Sequence, residues 1–111
     1  MYMFTYPSPM QNGKLGSCHA IEIPFVHGTL NMPRNELFPA SNSETETISK
    51  KMMDAWTSFA KTGNPNHKDI PEWRPYSDNR ATIMFDTKVE VLNDPFGEER
   101  AIWDNIIKFN D

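Results

Sequence analysis

The strongest constraint on the fold is an amphipathic helix, which the sequence predicts at about residues 44–62. Ser43 and Glu46 are expected to form a capping box at its start, each side chain accepting a backbone N–H. Lys61 in the last turn and Gly63 just beyond it predict the end of the helix. Bulky apolar side chains recur on one face at helical spacing, at Ile48, Met52, Met53, Trp56, Phe59 and Ala60. Such a stripe needs a second layer to pack against.

Short strands are predicted before and after this helix. Residues 1–6 are almost entirely apolar and aromatic, which predicts a strand buried on both faces. Residues 82–86 and 88–91 are predicted as two strands across a turn. A last helix is expected to open at residues 93–95, with Pro95 at its first helical position. Its apolar face would consist of Ala101, Ile102, Trp103, Ile106 and Ile107. The predicted order is therefore strand, long loop, helix, two short strands and helix.

Composition makes a folded, soluble domain the expectation. The chain has 111 residues, of which 38% are hydrophobic and 12% aromatic, enough for a core. The formal net charge is −4 and no basic patch is present, so no nucleic-acid partner is expected. No stretch approaches the roughly 18 apolar residues of a membrane span, and the start lacks a secretory signal. Cys18 is the only cysteine, which excludes an intrachain disulfide and favours a reducing, cytoplasmic location.

A long stretch of loop composition, residues 11–42, holds Cys18, His19 and His27. A Cys18–His19 dyad is disfavoured, because adjacent side chains usually point apart. These residues and His67 lack the spacing of a metal site, so neither a metal nor a cofactor is expected. The chain contains no Gly-x-Ser-x-Gly nucleophile elbow. On spacing alone, His19 is more often a surface or hydrogen-bonded residue than a catalyst.

Residues 17–28 resemble the histidine loop of type B carboxylesterases and cholinesterases. That loop has a histidine, a small residue, a glutamate three positions after the histidine, an apolar-Pro-Phe-Val run and a glycine. Ala20, Glu22, residues 24–26 and Gly28 match this pattern in place.

The resemblance continues along the chain in the family's order. Residues 55–66 are similar to the family's C-terminal helix and its Gly-Asn-Pro exit, and residues 73–76 and 83–86 to a Trp-Pro-x-Tyr turn and the final strand. The sequence departs from the pattern at His27, where an aromatic or other bulky residue is usual, and at the inserted Arg74. The match therefore covers nearly the whole chain.

The resemblance implies that residues 1–111 are one partial domain, the C-terminal portion of an α/β-hydrolase fold. It implies a triad in the order Ser, Glu or Asp, His, with His19 as the general base that serves the serine. Glu22 would help to shape the same pocket as a supporting residue. The serine nucleophile and the acid would lie outside this chain. Carboxylic esters are the implied substrates of the complete enzyme, and no cofactor is implied.

Two interpretations follow from this incomplete triad. In the first, the chain is a fragment of a carboxylesterase that is inactive alone and partners the N-terminal part of the hydrolase. In the second, it is a non-catalytic, hydrolase-derived interaction or structural module. Both leave apolar surfaces of the strand and helices uncovered, so the isolated chain is expected to self-associate.

Overall fold

The computed structural model describes residues 1–32 and 37–106 and confirms the α/β class. One helical layer lies against a small mixed sheet. A short 3₁₀ helix, Met10–Gly13, follows the first strand. The strands are β1 (Tyr2–Phe4), β2 (Ala81–Phe85) and β3 (Glu90–Asn93), and the α-helices are α1 (Ile23–His27), α2 (Ser43–Thr62) and α3 (Gly97–Ile106).

The sheet has the order β1-β2-β3, so β2 is central. β1 runs parallel to β2, with Tyr2 opposite Ile83 and Phe4 opposite Phe85. β3 runs antiparallel to β2, with Val91 opposite Ile83. The two strands predicted across a turn are therefore confirmed. All five residues of β2 are buried, as expected for a strand with a neighbour on each side.

The prediction that the first strand is buried on both faces is wrong. Tyr2 and Met3 are each 36% exposed. The face with Tyr2 and Phe4 packs on the helices, and the ring of Phe4 lies 4.8 Å from that of Phe25. Side chains alternate along a strand, so Met3 points to the opposite face. β1 is also an edge strand, because β2 alone pairs with it among the described strands.

The long helix is confirmed, but its cap is one residue earlier than predicted. Asn42 is the N-cap, and its Oδ1 accepts the N–H groups of Glu44 and Thr45 at 2.9 and 3.0 Å. Thr45 Oγ1 accepts the Asn42 N–H at 2.9 Å, which completes a reciprocal capping box. Ser43 is already the first helical residue. Glu46 instead accepts a hydrogen bond from the Ser41 hydroxyl.

The carboxyl end of α2 is where the sequence predicts it. Gly63 has a φ of 75°, in the left-handed region that favours glycine, and its N–H donates to the Phe59 carbonyl at 2.8 Å. The Ser58 hydroxyl donates to the Asn64 carbonyl at 2.8 Å and so ties the exit segment back to the helix. Local bonds therefore define this end of α2.

The core lies between the sheet and the pair α1 and α2. It is built from one residue of α1, two of α2 and two of β2: Phe25, Ile48, Met52, Ile83 and Phe85. The Ser49 hydroxyl, itself buried, donates to the Phe25 carbonyl at 2.7 Å. This bond satisfies a buried acceptor. It therefore holds α1 on α2 in addition to the packing of the apolar side chains.

The last helix begins later than predicted. α3 starts at Gly97, because Asp94 and Phe96 both have positive φ values, 46° and 62°, which a right-handed α-helix does not contain. Pro95 therefore lies before the helix. Arg100 reaches back to Asp94 with two hydrogen bonds, of 2.9 and 3.0 Å. These bonds hold the pKa of the Asp94 carboxyl below its usual value.

The predicted apolar face of α3 is exposed. Ile102, Trp103 and Ile106 are 61%, 60% and 65% exposed. Ile107, which the sequence also assigns to this face, lies outside the described residues. Within residues 1–32 and 37–106, no helix is long and apolar enough to cross a membrane.

Candidate functional site

His19 lies on the loop that follows β1, and its side chain is exposed. Two residues earlier, the Ser17 hydroxyl donates to the Phe4 carbonyl at 2.6 Å. This bond brings the histidine segment to the carboxyl end of β1. Since β1 and β2 are parallel, their carboxyl ends lie at the same end of the sheet. Open α/β sheets place ligand sites at this end.

The turn around His19 explains why a small residue follows it. Ala20 has a φ of 67°, a left-handed conformation that is costly for bulky or β-branched side chains. Its neighbour Ile21 is only 1% exposed, and the Ile21 N–H donates to the Cys18 carbonyl at 3.3 Å. The backbone turns sharply, so Ile21 enters the protein while His19 stays on the surface.

The helix α1 was not predicted from the sequence. Five residues are too few to show a helical period, but Pro24 in the first turn and Gly28 just after the last turn are helix start and stop signals. Gly28 has a φ of 64°, and a Cβ there would lie 2.7 Å from the Met53 sulfur. The positive φ favours glycine, and a Cβ would in addition force the Met53 side chain to shift. α1 places Phe25 in the core and leaves His27 exposed at its end.

Glu22 is half-buried and immediately precedes α1. Its carbonyl accepts the N–H groups of Phe25 and Val26 at 3.0 and 3.1 Å. Burial raises the pKa of the Tyr2 phenol, and the negative charge of Glu22 raises it further. Glu22 thus provides a backbone acceptor at the start of α1 and adds negative charge to the surroundings of Tyr2.

Asp86, at the carboxyl end of β2, was not among the sequence-predicted candidates. It lies at the same end of the sheet as the histidine loop, but its carboxylate oxygens are bonded to residues outside that loop. Oδ2 accepts the Thr5 hydroxyl at 2.8 Å, and Oδ1 accepts the Thr87 N–H at 2.7 Å. Asp86 thus ties the ends of β1 and β2 together. A carboxylate following a strand is the sequence signal that could have indicated it.

One group in the described part of the chain has metal-ligand chemistry, namely Asp54, His67 and Asp69. His67 Nε2 lies 3.0 Å from the Lys51 carbonyl oxygen. Asp54 pairs with Lys50 at 2.5 Å, a bond that lowers the pKa of the Asp54 carboxyl. The Asp54 and His67 ligand atoms are thus already engaged with protein groups. The cysteine and the two histidines of the long loop are not part of this group.

A groove lies at the amino end of β1, away from the histidine loop. It has a volume of about 820 Å³. Its aromatic wall is built by Tyr2, Trp56 and Trp73, with the Tyr2 and Trp56 rings 5.0 Å apart. The inserted Arg74 lines it as well and donates to the Asn93 side chain at 2.8 Å, which links the tryptophan turn to β3.

Comparison with known proteins gives one consistent result. The sequence model of the Carboxylesterase family matches residues 1–103. A para-nitrobenzyl esterase of Bacillus subtilis is 35% identical over 83 residues, which are 74% of this chain and 17% of that protein. Carboxylesterase 5A of Canis lupus familiaris is 31% identical over 90 residues, 80% of this chain and 16% of that protein.

Solved structures agree with these matches. A Geobacillus stearothermophilus carboxylesterase superposes with a TM-score of 0.76 at 41% identity, over 93% of this chain and 21% of that one. A thermophilic para-nitrobenzyl esterase superposes with a TM-score of 0.78 at 32% identity, over 91% and 21%. The chain thus has the fold of about one fifth of these α/β-hydrolases, given the 21% coverage.

Proposed function

Because the chain belongs to the carboxylesterase family, we propose that it is the C-terminal part of a serine ester hydrolase and supplies the triad histidine, His19. The observation that carries this proposal is the position of His19: an exposed imidazole, on a fixed turn, at the carboxyl end of a parallel strand pair. A triad histidine must be open to the serine on one side and held by its backbone on the other.

In the proposed reaction His19 acts twice as a proton carrier. It takes the proton from the serine hydroxyl as the oxygen attacks the ester carbonyl, and returns it to the leaving alcohol when the tetrahedral intermediate collapses. Water then repeats the same sequence on the acyl-enzyme. Imidazole suits this role because it titrates near neutral pH. Glu22 supports the loop through its carbonyl, which accepts two N–H groups from the first turn of α1.

The remaining members of the machinery come from outside this chain. No Gly-x-Ser-x-Gly elbow occurs in its 111 residues, and Asp86 is bonded to Thr5 and Thr87. The proposed partner is therefore an N-terminal carboxylesterase segment, which would bring the serine, the acid and the oxyanion hole. The substrate class is carboxylic esters.

We expect the isolated chain to hydrolyse p-nitrophenyl acetate poorly or not at all, because a lone histidine lacks a positioned nucleophile. Co-expression with the rest of the Bacillus subtilis para-nitrobenzyl esterase, the part outside the matched region, is expected to restore turnover. We call this pair the reconstituted esterase. Release of p-nitrophenolate measures it, and the same segment paired with that enzyme's own missing region is the positive control.

The result separates the two interpretations of the chain. Restored turnover supports the catalytic proposal. Tight binding without turnover, when the positive control is active, would instead favour the non-catalytic module. Robust turnover by the isolated chain would contradict the division of the triad between two segments.

We also expect the isolated chain to self-associate. Within residues 1–32 and 37–106, the outer edge of β1 has no neighbouring strand, and the exposed Met3 belongs to β1. Sedimentation velocity at micromolar concentration should show dimers or larger species. Met3→Lys should shift the chain towards monomer, because a lysine on an edge strand opposes pairing. Leu15→Lys, at an exposed apolar position outside the sheet, is the control, and a monomeric unmodified chain would contradict the expectation.

A further inference from the structure

A single hydroxyl joins the histidine loop to the outer edge of β1. On the inner edge, the Met1 carbonyl accepts the Ile83 N–H and the Thr5 N–H donates to the Phe85 carbonyl, at 3.3 and 2.9 Å. In a parallel ladder alternate residues face alternate edges, so the Phe4 carbonyl points outward. There it accepts the Ser17 hydroxyl at 2.6 Å.

The segment before His19 has a second tie, but through the backbone only. The Gly16 carbonyl accepts the N–H groups of Ser8 and Cys18 at 2.9 and 3.1 Å. Ser8 is itself fully buried, and its hydroxyl donates to the Leu37 carbonyl at 2.6 Å. Gly16 is thus fixed to the protein interior, and the Ser17 side chain adds its own hydrogen bond to the end of β1.

The segment after His19 is held by burial. Ile21 is 1% exposed, and Ala20 bends the backbone with its positive φ. His19 is therefore two residues from a fixed point on each side: the Ser17 hydroxyl bond and the buried Ile21 side chain. Two residues span at most about 7 Å, so a shift of either point moves the imidazole directly.

From these contacts we infer that Ser17 is a positioning residue for His19. Its hydroxyl bond to Phe4 fixes the imidazole relative to the end of β1, where the proposed nucleophile must meet it. This inference rests on the proposed function. A misplacement of about 1 Å at a reacting group can cost about a hundredfold in rate, so loss of this bond acts on the chemical step. The hydroxyl touches no substrate and transfers no proton.

The kinetic test uses the reconstituted esterase. Ser17→Ala is expected to lower kcat by about tenfold to a hundredfold, while KM changes by less than about threefold. The reason is that the imidazole is no longer held in position to accept the proton of the nucleophilic serine. Ser17→Thr keeps the hydroxyl and should retain kcat within about threefold. Ser58→Ala removes a comparable hydroxyl-to-carbonyl bond at the far end of α2 and should leave kcat unchanged.

A second readout does not depend on activity. In the 111-residue chain, amide hydrogen exchange at residues 17–21 should accelerate about tenfold in Ser17→Ala, while the middle of α2 is unaffected. Unchanged exchange at this loop, or a kcat in Ser17→Ala equal to that of the Ser58→Ala control, overturns the inference. An inactive unmodified pair, with exchange changed as expected, contradicts the proposed function and leaves the Ser17 tie in place.

Discussion

In the reconstituted esterase, His19→Ala is expected to lower kcat for p-nitrophenyl acetate by at least about 10⁴-fold. Without the imidazole, nothing accepts the serine proton, and the nucleophile attacks as a neutral hydroxyl. KM should change little, because the exposed His19 contributes to the reaction rather than to holding the acyl group. Initial rates over a range of substrate concentrations give both constants.

The matched control is His27→Ala. His27 is also exposed and belongs to the same family-like segment, but it lies at the far end of α1, beyond the buried Phe25. Its removal should change kcat by less than about twofold, since surface substitutions away from a site have small effects. Equal losses in the two variants would show that His19 has no special role. An active His19→Ala enzyme would remove the basis of the proposed function.

Phe25→Ala is expected to remove a large fraction of the free energy of unfolding. Phe25 is fully buried, and its ring packs 4.8 Å from that of Phe4 and 5.9 Å from that of Tyr6. Replacing a buried phenylalanine by alanine costs about 3–5 kcal/mol. Domains are stable by only about 5–15 kcal/mol, and this one has an uncovered sheet edge and helix face. Urea unfolding followed by circular dichroism measures the loss.

The control makes the same substitution on the surface. Phe59 lies on α2 and is 58% exposed, so Phe59→Ala should cost less than about 1 kcal/mol. A similar loss in both variants would contradict the assignment of the core. Retention of the full urea midpoint in Phe25→Ala would mean that α1 does not hold the histidine loop on α2.

Elements whose own residues show a periodic apolar pattern and a stop residue were predictable from the sequence. The long helix has several turns of apolar periodicity and a glycine stop, so its range was right to within a residue. Its cap was not, because Asn42 with Thr45 and Ser43 with Glu46 are overlapping box patterns, and only the backbone conformation decides between them. Both pairs have suitable side chains.

Features set by distant parts of the chain were not predictable. The apolar run at residues 1–6 indicates burial on two faces, but burial depends on neighbours that these residues do not encode. The position of His19 at a strand end could be inferred from the family-like motif. The bond from Ser17 to Phe4 could not, because it joins residues 13 positions apart through a turn whose direction depends on the left-handed Ala20.

The anchorage of the histidine loop has a consequence for protein engineering. The bonds that hold it run from Ser17 to Phe4, from Ser8 to Gly16 and from Ser49 to Phe25, so each begins and ends within residues 4–49. A related esterase divided at the point equivalent to residue 1 would keep all these supports on one piece. Such a junction suits a split reporter, in which two inactive pieces produce a coloured product when they associate. The smaller piece would already contain the bonds that hold its histidine loop.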